Sequence, residues 1–335
     1  MPPQHDLAAL RARIGDRTII ASVSGGKDST AMALYLKELG LPFQAMFIDI
    51  GWENRTTLDY VRDQLPGILG QPVHWLVPKI DLPPELDALA RRFEEKIGHP
   101  SGMVRLCLKK AMFPSKQRRW CTKDLKVKPV RDYLRSLDCE PINTVGIRHQ
   151  ESKARSKMPE WEANAIYDCD VWRPIVRWTQ QDVIDIHTRH GAMPNPGYLA
   201  GAERVGCWPC IYSRKSEIRH IAVTDPDRIS LMEELEATLY KLLKAKYTAA
   251  GDADKLARLE ESKPGWFAAP YAPKRKDGTR SGAAWPIRKV VEWSWTKAHN
   301  GRQFELFIAP PRERGCMRWG LCDTGNNDQK EGGQD

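Results

Sequence analysis

Residues Ser24-Gly25-Gly26-Lys27-Asp28-Ser29 have the types and spacing of an anion site. They follow the β-branched run Thr18-Ile19-Ile20-Ala21-Ser22-Val23, which reads as a buried strand. Thr30-Ala31-Met32-Ala33-Leu34-Tyr35-Leu36 then reads as an amphipathic helix. A tight Gly-Gly turn at a helix N-terminus exposes backbone N–H groups, the helix dipole adds partial positive charge, and Lys27 adds a full one. Glycine is needed because a Cβ would hold the backbone away from a phosphate. The stretch is not a Walker A loop, which wants Gly where Ala21 stands and Ser or Thr where Asp28 stands.

Cysteines form a second reactive set. Cys207-Trp208-Pro209-Cys210 is a C-x-x-C turn, and Cys121 lies in a strongly basic segment. Three thiolates converging in a reducing compartment hold an iron–sulfur cluster or zinc, with free thiols as the alternative. Cys107, Cys139 and Cys169 read as small buried apolar residues. Arg148 and Arg155 follow Ile142-Asn143-Thr144-Val145-Gly146, and guanidinium forks at a strand end can grip phosphate or sulfate. Ion pairs with Glu151 are the alternative.

The elements that must position these groups alternate. Strands are expected at Phe43–Asp49, Val73–Val77 and Ile142–Gly146, and helices at 6–15, Thr57–Leu65, Leu82–Ile97, Asp182–His190 and 216–260. Asp225-Pro226 marks a helix start, Thr179 an N-cap with Asp182 at N3, and Trp178 a core position. Alternation of this kind implies a parallel twisted sheet flanked by helices, with ligands at the carboxyl ends of the strands. Asp49 lies at such an end, where it faces a nucleotide or Mg²⁺ unless it is a solvated turn acid.

At 335 residues with net charge +9, the chain can bury a full core and suits a polyanionic partner. No apolar run is long enough for a membrane helix, and Met1-Pro2-Pro3-Gln4-His5-Asp6 lacks the regions of a signal peptide. A cytoplasmic protein without membrane association is therefore expected. Gly98–Lys128 carries Arg105, Cys107, Lys109, Lys110, Lys116, Arg118, Arg119, Cys121, Lys123, Lys126 and Lys128 against the acid Asp124, which suggests a face turned to an anion. Residues 262–302 hold nine Lys or Arg against two acids, with aromatics interleaved. Lys274, Arg275, Lys276 and Arg280, together with Arg118 and Arg119, are expected to contact nucleic-acid phosphates. Alternation in Val291–Trp295 predicts a strand with Trp293 and Trp295 packed on one face. Residues 323–335 read as a disordered tail.

Several blocks together resemble the PP-loop ATP pyrophosphatases, and within them the phosphoadenosine-phosphosulfate (PAPS) reductase-like branch. They are Ser24–Ser29; Asp49-x-Gly51; Arg119-Trp120-Cys121-Thr122 with Leu125-Lys126 and Pro129; Gly146-Ile147-Arg148-x-x-Glu151-Ser152-x-x-Arg155; Pro174-Ile175-x-x-Trp178-Thr179-x-x-Asp182-Val183; and Asn195-Pro196-x-Tyr198 leading to Gly206–Cys210. The resemblance implies an adenine nucleotide alpha hydrolase-like fold over residues 1–215, with 216–322 as a helical and basic-aromatic appendage. It implies cleavage of ATP between its α- and β-phosphates, with Ser22, Ser24, Gly25, Gly26, Lys27, Asp28, Ser29, Asp49 and Gly146 on the nucleotide. Lys27, Asp28, Arg148 and Arg155 would be catalytic, with Asp28 a candidate Mg²⁺ ligand. Cluster-binding members hold [4Fe–4S] with a Cys-Cys pair and a later C-x-x-C. Here Trp120 replaces the first cysteine, which leaves Cys121, Cys207 and Cys210, with Cys322 the leading candidate for a fourth ligand ahead of Cys316.

Two enzymatic functions share this frame. One resembles the ATP pyrophosphatase component of bacterial DNA phosphorothioation systems, whose partners would be DNA, a cysteine desulfurase or other sulfur donor, and a second copy in a homodimer. The other is a sulfonucleotide reductase acting on adenylyl sulfate or PAPS. Reductases of the family end in Glu-Cys-Gly-Ile/Leu-His, whereas this chain has Arg314-Gly315-Cys316-Met317-Arg318, which favours the first. An inactive nucleic-acid-binding module is a third expectation, disfavoured by the intact loop.

Overall fold

The computed structural model describes residues 5–269, 283–296 and 319. Helix α1 (Leu7–Ile14), capped by the Asp6 carboxylate, leads into β1 (Thr18–Val23). Then come α2 (Lys27–Glu38), β2 (Phe43–Ile48) and α3 (Arg55–Asp59), the last continuing through a wider turn, Tyr60–Gln64, into α4 (Leu65–Leu69). β3 (Val73–Leu76), α5 (Pro84–Ile97) and α6 (Gly102–Lys110) follow. A short α7 (Trp120–Thr122) runs through Lys123–Val127 into α8 (Lys128–Arg135), and then β4 (Pro141–Val145).

The sheet has the order β3-β2-β1-β4-β6-β5, where β5 (Trp161–Asn164) and β6 (Cys169–Trp172) form a hairpin at one edge. All neighbours are parallel except β5 with β6. β1 lies between β2 and β4, with Ile19 opposite Phe43 on one side and Ile142 on the other. Ile19 and Ile20 are both buried, so each face of β1 is covered. Full burial of such a side chain stabilises the fold by about 1.5–3 kcal/mol. The expected α/β class is observed. The edge hairpin was not expected from the sequence, because its four-residue strands carry Glu162, Asn164 and Asp170 and show no clean apolar alternation.

Beyond the sheet come α9 (Gln180–Arg189), α10 (Pro196–Leu199), α11 (Lys215–Thr224), α12 (Pro226–Ala249) and α13 (Ala253–Glu261). A small ladder of β7 (Phe267–Ala268) and β8 (Ala284–Trp285) and a last helix, α14 (Ile287–Ser294), complete the described chain. The start signals hold: Asp225 accepts from the Arg228 N–H, and Thr179 with Asp182 forms a capping box. The C-terminal helices share one apolar core with the segment 50–125. Trp52 stacks on Trp266 at 5.0 Å between ring centres. Among the described residues no helix is long and apolar enough to cross a membrane.

Three expectations change. Val291–Trp295 is not a strand: α14 buries Ile287, Val290 and Ser294 at helical spacing, and Trp293 meets Trp285 edge-on at 6.4 Å. Cys139 is exposed rather than buried. Lys274, Arg275, Lys276, Arg280, Cys316, Cys322 and the segment 323–335 lie outside the described residues.

Candidate active site

The loop 24–29 joins β1 to α2 as the sequence implies, with Gly26 as the N-cap residue. Gly25 has φ +69°, and a Cβ there would lie 2.8 Å from Val61 Cγ2, so both backbone conformation and space demand glycine. The Ser29 hydroxyl knits the loop together: it accepts from the Ser24 N–H at 3.0 Å and donates to the Gly26 carbonyl at 2.9 Å. Asn195, buried beneath, donates to the Gly25 carbonyl at 3.1 Å and the Thr57 hydroxyl at 3.2 Å. The N–H groups of Gly25 and Gly26 meet no acceptor among the described residues.

Asp28 is held from both sides. Lys27 Nζ donates to one carboxylate oxygen at 2.5 Å, and Arg148 Nε donates to the other at 2.5 Å. Burial would raise the Asp28 pKa, but the two cations outweigh it and hold the carboxyl below its usual range. Arg148 is 4% exposed and is brought here by β4. Gly146, just past β4, lets that strand end touch the first turn of α2, since a Cβ there would lie 2.5 Å from the Asp28 carbonyl oxygen. Its position is a close backbone approach.

The remaining expected residues separate. Ser22 donates its hydroxyl to Asn143 at 2.9 Å, inside the sheet. Arg155 pairs with Glu151, whose carboxylate also accepts from the Arg148 N–H, so the ion-pair alternative holds for Arg155 and not for Arg148. Each oxygen of Asp28 accepts from a cation, so its use as a Mg²⁺ ligand would need Lys27 or Arg148 to turn away. Asp49 accepts from the Gly51 N–H at 2.8 Å through Oδ1, which leaves Oδ2 as the better placed oxygen for a nucleotide-bound Mg²⁺.

Two residues of the site were not singled out from the sequence, although Tyr198 stands in one of the family-like blocks. Tyr198 is buried and its hydroxyl accepts from the Lys27 N–H at 3.2 Å. His187, on α9, is 2% exposed with Nδ1 2.7 Å from the Val183 carbonyl, which makes Nδ1 the donor and Nε2 an acceptor. Nε2 has no partner among the described residues. Burial pushes the His187 pKa down to about 4, so the ring is neutral at physiological pH, within electrostatic reach of Asp28 and Lys27. Trp319 packs edge-on to His187 at 5.2 Å and against Tyr198 at 5.9 Å. A fully apolar i, i+3, i+4 face on 180–190 would have shown nothing unusual; His187 in place of an aliphatic residue was the available sign.

The thiols gather in one apolar cluster. The 207–210 turn pairs with the segment after β2, through a Glu53–Cys207 bridge and a Trp208 N–H to Trp52 carbonyl bond of 2.8 Å. Cys121, Cys207 and Cys210 pack against the core that contains buried Cys107. Lys126 donates to Cys207 Sγ at 3.3 Å. Burial lifts the Cys207 pKa to about 11 despite that cation, so its sulfur stays protonated at neutral pH. Buried Glu53 is raised as well, by burial first. Among the described residues no three His, Cys, Asp or Glu side chains are placed to hold a metal. The expected metal centre is therefore not formed by Cys121, Cys207 and Cys210 as they stand, and a lysine ammonium occupies the neighbourhood of one sulfur.

The basic stretch 98–128 is also not a uniform anion-facing surface. Arg105 is bound to Glu94 and Asp87, both at 2.7 Å, and Lys110 pairs with Asp124 at 3.1 Å. Lys126 points inward. Lys109, Lys116, Arg118, Arg119, Lys123 and Lys128 are exposed without a carboxylate partner among the described residues, Lys109 donating to the Asp81 carbonyl at 3.0 Å.

A strand, a Gly-Gly turn with open N–H groups and a clamped Lys-Asp-Arg trio make a candidate anion site, and the sequence comparison places the chain in a nucleotide-using family. The phosphoadenosine phosphosulfate reductase domain profile matches residues 18–213. The chain belongs to this family. It is 35% identical over 250 residues to a 37.8 kDa protein of Escherichia phage 186, covering 65% of this chain and 74% of the phage protein. It is 33% identical over 85 residues to the adenosine 5'-phosphosulfate reductase of Streptomyces coelicolor, covering 25% of this chain and 35% of that enzyme. Among solved structures, the phosphate complex of the PAPS reductase from Candida auris aligns with a TM-score of 0.43 and 18% identity, covering 60% of this chain and 87% of that one.

Proposed function

We propose that this family member is an ATP pyrophosphatase that adenylates a substrate oxygen so that sulfur can replace it, the substrate being a nucleic-acid backbone phosphate. The observation that carries it is the loop 24–29: unpartnered N–H groups at the start of α2, beside Lys27 and Arg148, match the charge that develops on departing pyrophosphate. Binding of ATP–Mg²⁺ would draw Lys27 and Arg148 from Asp28 toward phosphate oxygens. Asp28 holds the two cations at the loop until the nucleotide takes them over, and Asp49 would supply an oxygen to the metal when it is bound. The backbone phosphate oxygen attacks the α-phosphorus of ATP, and the α–β bridge breaks with release of pyrophosphate. Hydrosulfide, delivered by a cysteine desulfurase or another sulfur donor, then attacks the activated backbone phosphorus, and AMP leaves with the oxygen. Neutral His187, with its unpartnered Nε2, can accept a hydrogen bond from a group at the loop without adding charge.

No step is assigned to an iron–sulfur cluster. To hold one, Cys121, Cys207 and Cys210 would need Lys126 withdrawn from Cys207 and a fourth ligand, Cys322 by sequence. Iron content after anaerobic purification decides whether they do.

One observation favours a second reading. Trp319 packs beside Tyr198 and His187, and Cys316 and Cys322 each stand three residues from it in sequence. A sulfonucleotide reductase would use a thiol from this part of the sequence as its nucleophile. Anaerobic incubation with ATP, Mg²⁺, sulfide and DNA separates the two: AMP, pyrophosphate and backbone sulfur are expected. ADP and phosphate would overturn the ATP assignment, and sulfite release from adenylyl sulfate would establish the reductase.

A further inference from the structure

We propose that Lys116, Arg119 and Tyr212 form a docking platform for a single-stranded nucleic-acid segment beside the C-x-x-C turn; this rests on the nucleic-acid substrate proposed above. The platform joins two distant parts of the chain. Residues 115–118 form a tight turn, with the Ser115 N–H donating to the Arg118 carbonyl at 3.2 Å and the Arg118 N–H to Ser115 Oγ at 3.0 Å. That turn throws Lys116, Arg118 and Arg119 outward ahead of α7. Tyr212 comes from the other part, two residues after Cys210, and is 40% exposed.

Lys116 Nζ lies 5.7 Å and Arg119 Cζ 5.5 Å from the centre of the Tyr212 ring. Two cations drawn to one ring repel each other. Among the described residues neither has a carboxylate partner, and Arg118 and Lys123 beside them have none either. In the same stretch Arg105 and Lys110 do have carboxylate partners, whereas Lys116 and Arg119 converge on one ring without one. The missing counterion fits a phosphodiester, which can bridge an ammonium and a guanidinium. Once those cations turn onto phosphates, the exposed ring offers its face to a base. Stacking on a side chain needs an unstacked base, so the observations favour a single strand over a duplex, and a nucleic acid over an acidic protein, which has no base to place on the ring.

The test is fluorescence anisotropy with a labelled single-stranded DNA of about 20 nucleotides, several OB-fold site sizes long, read across a salt series. Wild type is expected to bind the strand more tightly than its duplex. Lys116→Ala/Arg119→Ala should flatten the slope of log affinity against log salt by about 1.4, since two single-strand phosphate contacts count about 0.7 each. Tyr212→Ala should weaken single-strand binding about 5- to 150-fold, the equivalent of one lost base stack, while Tyr212→Phe stays near wild type. All three side chains are exposed, so unchanged melting of the variants is expected and checks that folding is intact. Equal binding of duplex, no effect of Tyr212→Ala, or no measurable single-strand affinity would each overturn the platform. The enzymatic proposal fails separately: if the strand binds through these residues but AMP and pyrophosphate never form, the platform stands and the pyrophosphatase does not.

Discussion

Replacing Gly146 by Ala is expected to disable ATP cleavage at a modest cost in stability. Gly146 lies where the end of β4 meets the first turn of α2. A Cβ there would stand 2.5 Å from the Asp28 carbonyl oxygen and 2.6 Å from Ser29 Cα, against 3.4 Å for ordinary contact. Both opposing atoms are backbone and cannot swing aside, so strand and loop must part by about 0.9 Å, the difference between contact and overlap. Overpacking of this size costs about 1–3 kcal/mol, or a melting temperature lower by roughly 1–4 °C for a chain of this length. The chemistry suffers more, because a misplacement of about 1 Å at a reacting centre costs on the order of 10²-fold in rate. The matched control is Gly67→Ala, in α4, where nothing lies within 4 Å. That change should leave cleavage intact and stabilise slightly, by up to about 1 kcal/mol through helix propensity. Single-turnover pyrophosphate release and thermal melting of the three proteins make the comparison. Wild-type cleavage by Gly146→Ala, or an equal loss in Gly67→Ala, would refute the steric reasoning.

Two further outcomes are expected. Asp28→Asn leaves Lys27 and buried Arg148 without their anion, and breaking a buried pair costs about 3–5 kcal/mol. Because the folded carboxyl titrates below its ordinary 3.8, the Asp28 contribution is complete above that pH and fades as pH falls through the lower folded value, so the variant and wild type should converge in acid. Added pyrophosphate should restore part of the variant's melting temperature, and a variant as stable as wild type near neutral pH would contradict the clamp. Glu236, buried on α12 and accepting from the Ile287 N–H at 3.0 Å, is raised from 4.5 to about 7 by burial. The native state therefore binds more protons between those values, and wild-type stability should fall by about 3 kcal/mol as pH rises from 4.5 to 7. Glu236→Gln should lack that component in denaturant titrations, and a wild-type-to-variant difference that ignores pH would exclude it.

The parts of this protein that the sequence alone determined are those governed by neighbours along the chain. A β-branched run, two glycines and a helix-forming run suffice for β1, the loop and α2, because turn geometry and helix start are local. Yet α2 is buried all round over Ser29–Leu36 and not amphipathic as expected. Thr179 with Asp182 and Asp225 with Pro226 were legible for the same reason, each cap being closed within three residues. What depends on pairing across the fold was not legible. Arg148 reaches Asp28 across 120 positions, and its likeness to Arg155 in sequence gave no hint that one would enter the site and the other would turn to Glu151. Lys126 sits on Cys207 from 81 positions away, which set an ammonium where thiols alone were expected. Alternation at Val291–Trp295 pointed to a strand, yet burial of Ile287, Val290 and Ser294 against the C-terminal core made it a helix. Tertiary packing decides such cases because a side chain's charge state and exposure depend on the groups the fold brings to it, and most of those are far away in sequence.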